Sequence, residues 1–149
     1  MRLILKKGRE KAMLRRHPWV FSGAVQQVEG HPTAGETIDV YDAHGRFLAR
    51  GAYSPDSQIR VRIWSWDQDA SIDGDFFREK IQNALRLRDA WIDRSQTTAY
   101  RLIHAESDML PGLIVDQYND TLVMQILSAG AEYWRETIVN VLVETLQPD

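Results

Sequence analysis

Gln58-Ile59-Arg60-Val61-Arg62-Ile63-Trp64-Ser65-Trp66 alternates strictly, with Ile59, Val61 and Ile63 on one side and Arg60, Arg62 and Trp64 on the other. A period of two residues marks a half-buried strand and excludes a helix, whose faces repeat every 3.6 residues. The pattern occurs twice more upstream. Residues 36–41 alternate polar and apolar, Asp42-Ala43-His44-Gly45 supplies a turn, and residues 46–53 return, so a hairpin is expected there. Ser54-Pro55-Asp56-Ser57 is the next turn. Nearer the start, residues 2–7 read as a short strand broken by Gly8. Residues 9–16 read as a short helix with Ala12, Met13 and Leu14 on its apolar side. Pro18 stops that helix, because a proline pushes the residue before it out of the α region. Trp19-Val20-Phe21 is expected to be extended and buried, residues 24–28 to form a strand, and residues 29–35 to form a loop. About five or six short strands with one small helix fit a compact β-barrel.

Asp67-Gln68-Asp69-Ala70 is polar and marks the expected domain boundary. Beyond it the period becomes helical. Ser71 or Asp73 can cap a helix over residues 74–92, with Phe77, Ile81, Ala84, Leu85, the stem of Arg88, Trp91 and Ile92 as its stripe. Residues 100–104 form a strand candidate, and residues 106–112 a turn-rich connection. Residues 113–118 and 121–127 form a second hairpin bending at Asn119-Asp120. A last helix is expected over residues 129–146, with Trp134, Ile138, Val141, Leu142 and Leu146 as its stripe. The expected fold class is therefore α+β: a β pseudo-barrel over residues 1–70, then a small helix–strands–helix domain over residues 71–149. Three strands with two helices make a thin layer. A longer polypeptide supplying a further strand is expected after Asp149.

The net charge of −3 hides an asymmetry. Residues 1–66 carry +5 and residues 67–149 carry −8. Six of the 18 basic residues crowd into residues 6–16, directly before the aromatic run. That combination suits a polyanion, with cations for phosphates and aromatics to hold the loop to a core. Lys7, Arg9, Lys11, Arg15 and Arg16 are the first candidates for RNA phosphate contacts. Arg50, Arg60 and Arg62 either extend the patch or pair with Asp39 or Asp42 across strands. Trp19, Phe21 and Tyr53 could each stack on a base; Tyr53, beside a turn, is the better candidate, whereas core packing is preferred for Trp19 and Phe21.

Other chemistries find less support. The chain has no cysteine, which removes disulfides, thiolate metal sites and a Cys nucleophile. His17, His31, His44 and His104 lack metal-ligand spacing. Glu106, Asp108 and Asp116 could form a carboxylate cluster for hydrolysis, but caps within a turn are the preferred reading. No apolar run reaches the roughly 18–20 residues of a membrane span, and none follows the N-terminus as in a signal peptide. The cytoplasm is the expected compartment.

Arg16-His17-Pro18-Trp19-Val20-Phe21-Ser22-Gly23, followed by Gly51-Ala52-Tyr53-Ser54-Pro55, resembles the N-terminal part of a bacterial family of ribosomal RNA large-subunit methyltransferases. Glu106-Ser107-Asp108, then Leu110-Pro111-Gly112-Leu113 and Val115-Asp116, resembles that family's central domain. The resemblance implies an RNA-binding PUA domain, a small α+β domain, and then a Rossmann-like domain. That last domain binds S-adenosylmethionine and methylates C5 of cytosine in 23S rRNA. It implies RNA as partner and S-adenosylmethionine as the cofactor of the whole enzyme, with none in this stretch. Cytosine-C5 methylation requires a thiolate that adds to the ring, so a chain without cysteine is non-catalytic by itself. Met109 stands where the family frequently has glycine, and Gln117 where it frequently has a basic residue. The rival readings are a methyltransferase acting on another base, a protein-interaction or homodimerisation module, and a small hydrolase.

Overall fold

The computed structural model describes residues 1–146, which divide into two compact units, Met1–Ala70 and the chain from Ser71 onward. The first contains β1 (Arg2–Leu5), α1 (Lys11–Leu14), β2 (Trp19–Phe21), β3 (Val25–Glu29), β4 (Thr37–Tyr41), β5 (Phe47–Tyr53) and β6 (Ile59–Ser65). A 3₁₀ turn at Ser22–Ala24 joins β2 to β3. The strands form one sheet in the order β2-β6-β5-β4-β1-β3, antiparallel throughout except where β1 meets β4. Alternation turns Leu3, Leu5, Val20, Ile38, Val40, Val61 and Ile63 inward, where Met13 of α1 joins them. Each such side chain contributes roughly 1.5–3 kcal/mol by leaving water.

The β4–β5 hairpin is locked by its turn. Asp42 is buried, and its Oδ1 accepts the backbone N–H groups of His44 and Arg46, each at 2.9 Å. The Arg46 side chain donates to Oδ2 at 3.1 Å. These donors, led by the Arg46 amide, hold the Asp42 carboxyl below its ordinary range against the opposing effect of burial.

Three expectations for this unit are corrected. The buried–open alternation of β6 ends at Trp64, which is 1% exposed although Arg60 and Arg62 are only half-buried. The β5–β6 register shifts between Arg50/Gly51 and Ser65/Ile63, and the extra residue of this bulge is Trp64. The helix expected over residues 9–16 shrinks to the single turn of α1. It ends in a Schellman motif, in which the His17 amide donates to Ala12 O (3.0 Å) and the Arg16 amide to Met13 O (2.9 Å). Arg16 takes the left-handed position at φ 59°, so the chain has reversed before Pro18 is reached. Only Met13 of the expected apolar side is buried. Of Trp19-Val20-Phe21, only Val20 is buried. Trp19 is half-buried and Phe21 is 47% exposed, because a strand has two faces even when every residue is apolar.

The second unit contains α2 (Gly74–Trp91), β7 (Ala99–His104), a 3₁₀ turn (Ala105–Asp108), β8 (Leu113–Tyr118), β9 (Thr121–Ile126), α3 (Ala129–Tyr133) and α4 (Arg135–Leu146). Its sheet is β7-β8-β9, antiparallel throughout. Asp73 is the cap of α2, accepting the Phe76 amide at 3.0 Å. Phe77, Ile81 and Ala84 of α2 and Ile138, Val141 and Leu142 of α4 are buried. Trp91, expected in the α2 stripe, is instead 86% exposed at the helix's last residue. The single last helix expected over residues 129–146 is two, parted at Trp134, whose ring packs on Phe77 at 5.3 Å. The expected end at Asp149 lies outside the described residues.

The turn over residues 106–112 is held from three sides. The Asp108 carboxylate accepts both terminal nitrogens of Arg88, at 2.8 and 2.6 Å, and the His104 amide at 2.6 Å. Arg88 also donates Nε to the Arg101 carbonyl at 3.1 Å, so the stem expected in the α2 stripe ends in a buried brace. Met109 is left-handed at φ 60°, where a glycine fits without strain. Gly112, at φ 76°, has no such latitude, because a Cβ there would stand 2.3 Å from Ser128 Oγ. That hydroxyl donates to Pro111 O (3.0 Å) and accepts the Ala131 amide (3.2 Å), capping α3.

Two measurements check this account. In urea unfolding, Asp108→Ala should cost about 3–5 kcal/mol by stranding Arg88, while Met109→Gly should stabilise by up to about 1 kcal/mol by relieving the left-handed position. For Asp42 the lowered carboxyl fixes the sign. Its contribution is complete above the ordinary carboxylate range and is lost as pH falls through the lowered value. The difference in thermal midpoint between the protein and Asp42→Asn should therefore be largest near neutral pH and shrink on acidification.

Candidate nucleic-acid interface

The basic stretch is fixed by what it cannot bury. Leaving β1, the chain turns at Gly8 (φ 85°), makes the one turn of α1, reverses at Arg16 and enters β2. Leu5, Met13 and Val20 drop into the core at 1%, 2% and 2% exposure. The residues between them are cations, which stay in water because an unpaired buried charge is too costly. Lys7, Arg9, Lys11, Arg15 and Arg16 are all exposed. Among the described residues, Lys7, Arg9, Lys11 and Arg15 have no side-chain hydrogen bond or ion pair. Elsewhere arginines meet carboxylates: Arg46, Arg50, Arg78, Arg88, Arg94, Arg101 and Arg135 each do so.

A groove of about 470 Å³ runs beside this stretch. Leu5, Met13 and Val20 supply its apolar lining, Trp19 and Phe21 its aromatic lining, and Arg9 and Lys11 its charge. Gly8, Gly23 and Ala24 also border it. The Lys6 ammonium donates to Gly23 O at 3.0 Å and ties that border to the end of β1. His17, Trp19 and Phe21 form a continuous aromatic run, with Trp19 edge-on to both neighbours at 5.7 and 6.2 Å. Two arginines lie over tryptophan rings, Arg16 over Trp66 at 5.7 Å and Arg62 over Trp19 at 5.4 Å.

The other candidates occupy different surroundings. Arg50 is engaged within the fold. It donates to both carboxylate oxygens of Asp39, at 2.6 and 3.2 Å, and to the Ala70 carbonyl. The Asp39 hydrogen bond raises the Arg50 pKa further. Arg60 donates to the Pro55 carbonyl. Tyr53 is half-buried against the core instead of presenting a free ring. Arg62 sits across β2 from the groove stretch, opposite Trp19 in the ladder. In the sequence Phe21 is a weighed stacking candidate for which core packing is preferred, and Gly23 carries no site reading. Strand alternation was the signal for Phe21, since it places the ring on the face opposite Val20.

The carboxylates do not gather. Asp108 is held by Arg88, and Asp116 by Arg101 at 2.8 Å, a contact that also lowers the Asp116 carboxyl. Among the described residues no three His, Cys, Asp or Glu side chains are placed to hold a metal ion. No described helix is long and apolar enough to cross a membrane.

Comparison with known proteins adds the following. Residues 3–66 match a family described as a PUA-like domain. The chain is 57% identical over 142 residues to the ribosomal RNA large subunit methyltransferase I of Erwinia tasmaniensis, covering 95% of this chain and 36% of that protein. It is 54% identical over 138 residues to the protein of the same name from Tolumonas auensis, covering 93% and 35%. The chain thus spans about a third of the length of these relatives. Among solved structures, a putative SAM-dependent methyltransferase from Streptococcus mutans superposes with a TM-score of 0.84 at 19% identity, over 99% of this chain and 38% of that one. A putative methyltransferase crystallised with SAH gives 0.83 at 18% identity, with the same coverage. At such identities the likeness is one of fold.

The division between engaged and open arginines is measurable. Arg50→Ala should destabilise the first unit by about 1–3 kcal/mol, the range for charge-assisted hydrogen bonds, whereas Arg15→Ala should stay within about 0.5 kcal/mol of the parent. Urea unfolding of the two variants checks both.

Proposed function

Residues 3–66 form a PUA-like domain and the chain is a close homologue of the ribosomal RNA large subunit methyltransferase I family over about a third of its members' length; on that footing we propose that it is the RNA-recognition portion of an S-adenosylmethionine-dependent 23S rRNA (cytosine-C5)-methyltransferase. The observation that carries this reading is the set of exposed cations without counter-ions around a groove with aromatic lining. Phosphates supply the missing counter-charge, and rings and guanidinium planes suit unpaired bases. Lys7, Arg9, Lys11, Arg15 and Arg16 are the phosphate contacts, with Arg62 beside them. Arg50 and Arg60, bonded to Asp39, the Ala70 carbonyl and the Pro55 carbonyl, and Tyr53, packed against the core, are secondary candidates for RNA contact.

S-adenosylmethionine belongs to the whole enzyme of this proposal and does not fit the residues described. A doubly wound cofactor site needs a glycine-rich turn from a parallel strand into a helix. Here the second unit's sheet is wholly antiparallel. The one parallel pair, β1 with β4, is joined through α1, β2 and β3. No cysteine is present to attack a cytosine ring. The role left to this chain is to hold ribosomal RNA in the cytoplasm so that one cytosine reaches the catalytic domain. A base inside a duplex would first have to be flipped out, so the target is a loop or an assembly intermediate.

A second reading, homodimerisation, has one observation in its favour. β9 is an edge strand of its sheet, and Val143, 50% exposed, lines a groove of about 340 Å³ between β9 and α4 with Leu122 and Met124. Light scattering giving twice the chain mass would support it.

The RNA reading is tested by titrating the chain with large-subunit rRNA and with tRNA at two salt concentrations, beside the double variant Arg15→Ala/Arg16→Ala. Binding should weaken steeply with salt. Each lost phosphate contact on single-stranded RNA should flatten the log–log salt slope by about 0.7, so the double variant should lose roughly 1.4. Equal affinity and slope for parent and variant would contradict the assignment.

A further inference from the structure

We infer that the free edge of β9, with the groove beside it, is the seat of one more strand, laid parallel to β9 by the polypeptide that follows α4 in the longer relatives. The inference rests on reading the chain as part of a longer enzyme and is independent of where RNA binds.

A sheet edge is a row of unpaired N–H and C=O groups, which proteins protect with charges, proline, bulges or a cover. Of the four outermost strands among the described residues, β2, β3 and β7 carry such a device. β2 and β3 pair across register shifts, at Val20/Phe21 and at Ile4/Leu5, and Glu29 closes β3. β7 shifts register between Arg101 and Ile103, and the Arg88 side chain occupies the Arg101 carbonyl. β9 is different. Thr121-Leu122-Val123-Met124-Gln125-Ile126 holds no charge, proline or glycine. It pairs with β8 in unbroken register, from Thr121 opposite Tyr118 to Ile126 opposite Leu113. Among the described residues β8 is its only partner strand. A straight, uncharged, unprotected edge is an association site until something covers it.

Beside that edge α4 leaves apolar surface uncovered. The groove of about 340 Å³ is lined by Leu122 and Met124 of β9 and by Val139, Leu142 and Val143 of α4. A strand added next to β9 would turn every second side chain into this space. An extended segment that joins a sheet edge binds in this way, through main-chain hydrogen bonds on the strand and side chains in the adjoining pocket.

Connectivity names the occupant. β9 runs from Thr121 to Ile126, and the chain returns through α3 and α4. Val139, Leu142 and Val143 thereby come back beside Asp120, Thr121 and Leu122, where β9 begins. Polypeptide leaving α4 is delivered to that point, and a strand made there runs in the same direction as β9. Parallel neighbours need a crossover of a dozen or more residues, usually a helix. Residues 127–146, with α3 and α4, are such a crossover. The relatives contain chain to supply the strand, since this one spans about a third of their length.

The test lengthens this chain by the roughly twenty residues that follow the matched region in the Erwinia tasmaniensis relative, enough for a short connection and a strand. Amide hydrogen exchange is then compared by NMR in the two forms. The β9 amides that point away from β8 should exchange more slowly in the lengthened chain, by about fivefold for each ladder hydrogen bond gained. Val143→Asp should leave exchange and melting temperature of the shorter chain unchanged, because that side chain is half exposed. In the lengthened chain it should abolish the gain, and Val143→Ile should keep it. No slowing at β9, or slowing at β7 instead, would overturn the inference. So would a β9 edge already protected in the shorter chain at twice the chain mass by light scattering, because a second copy then occupies it. Binding of rRNA, measured on the same two forms, holds or fails separately: its loss would remove the RNA reading and leave the added strand in place.

Discussion

Leu5, Met13 and Val20 must leave water, and the cations between them cannot follow. Most of what is distinctive in the first unit follows from that opposition. Burying the three side chains contributes several kcal/mol together. Burying even one of the intervening charges unpaired would cancel it. The chain therefore touches the core at three points and arches outward between them, turning at Gly8 and again at Arg16. A left-handed arginine costs about 1–2 kcal/mol, offset here by the Schellman hydrogen bonds and the stacking of Arg16 on Trp66. The groove is the space the arch encloses.

The second unit handles charge in the opposite way. All its arginines but Arg86, which donates to Asn83, are matched to carboxylates, from the exposed pair Arg78–Glu144 to the buried pair Arg88–Asp108. The latter fixes the turn between β7 and β8, and Gly112 with Ser128 extends the latch to the start of α3. The motif that resembles the central domain of a methyltransferase family is therefore accounted for by structural work within this unit. The charge split of +5 and −8 between the two parts of the chain thus accompanies different uses of cations, left open in the first part and mostly paired with carboxylates in the second, where carboxylates are in excess.

How much was legible in the sequence varied with how local the cause was. The β4–β5 hairpin and its Asp42 turn, the Asp73 cap and the second hairpin are set by neighbours within a few residues, and periodicity revealed them. The full burial of Trp64 was not legible because the bulge beside it depends on how β5 pairs with β6. The helix over residues 9–16 was overextended because the residues carry helical propensity while the reversal at Arg16 is imposed by Met13 and Val20 reaching one core. Arg50 was ambiguous for the same reason: its partners, Asp39 and the Ala70 carbonyl, come from distant positions. Phe21 was assigned to the core on hydrophobicity, although strand alternation already placed it opposite Val20.

The central claim is that the opening stretch, and not the second unit, is the RNA surface. Backbone amide NMR of the isotopically labelled chain, titrated with a large-subunit rRNA fragment at low salt, tests it most directly. The account predicts that the shifted resonances cluster over residues 6–24, with β6 at their border. Shifts confined to residues 71–146, or none at all in the presence of bound RNA, would contradict it.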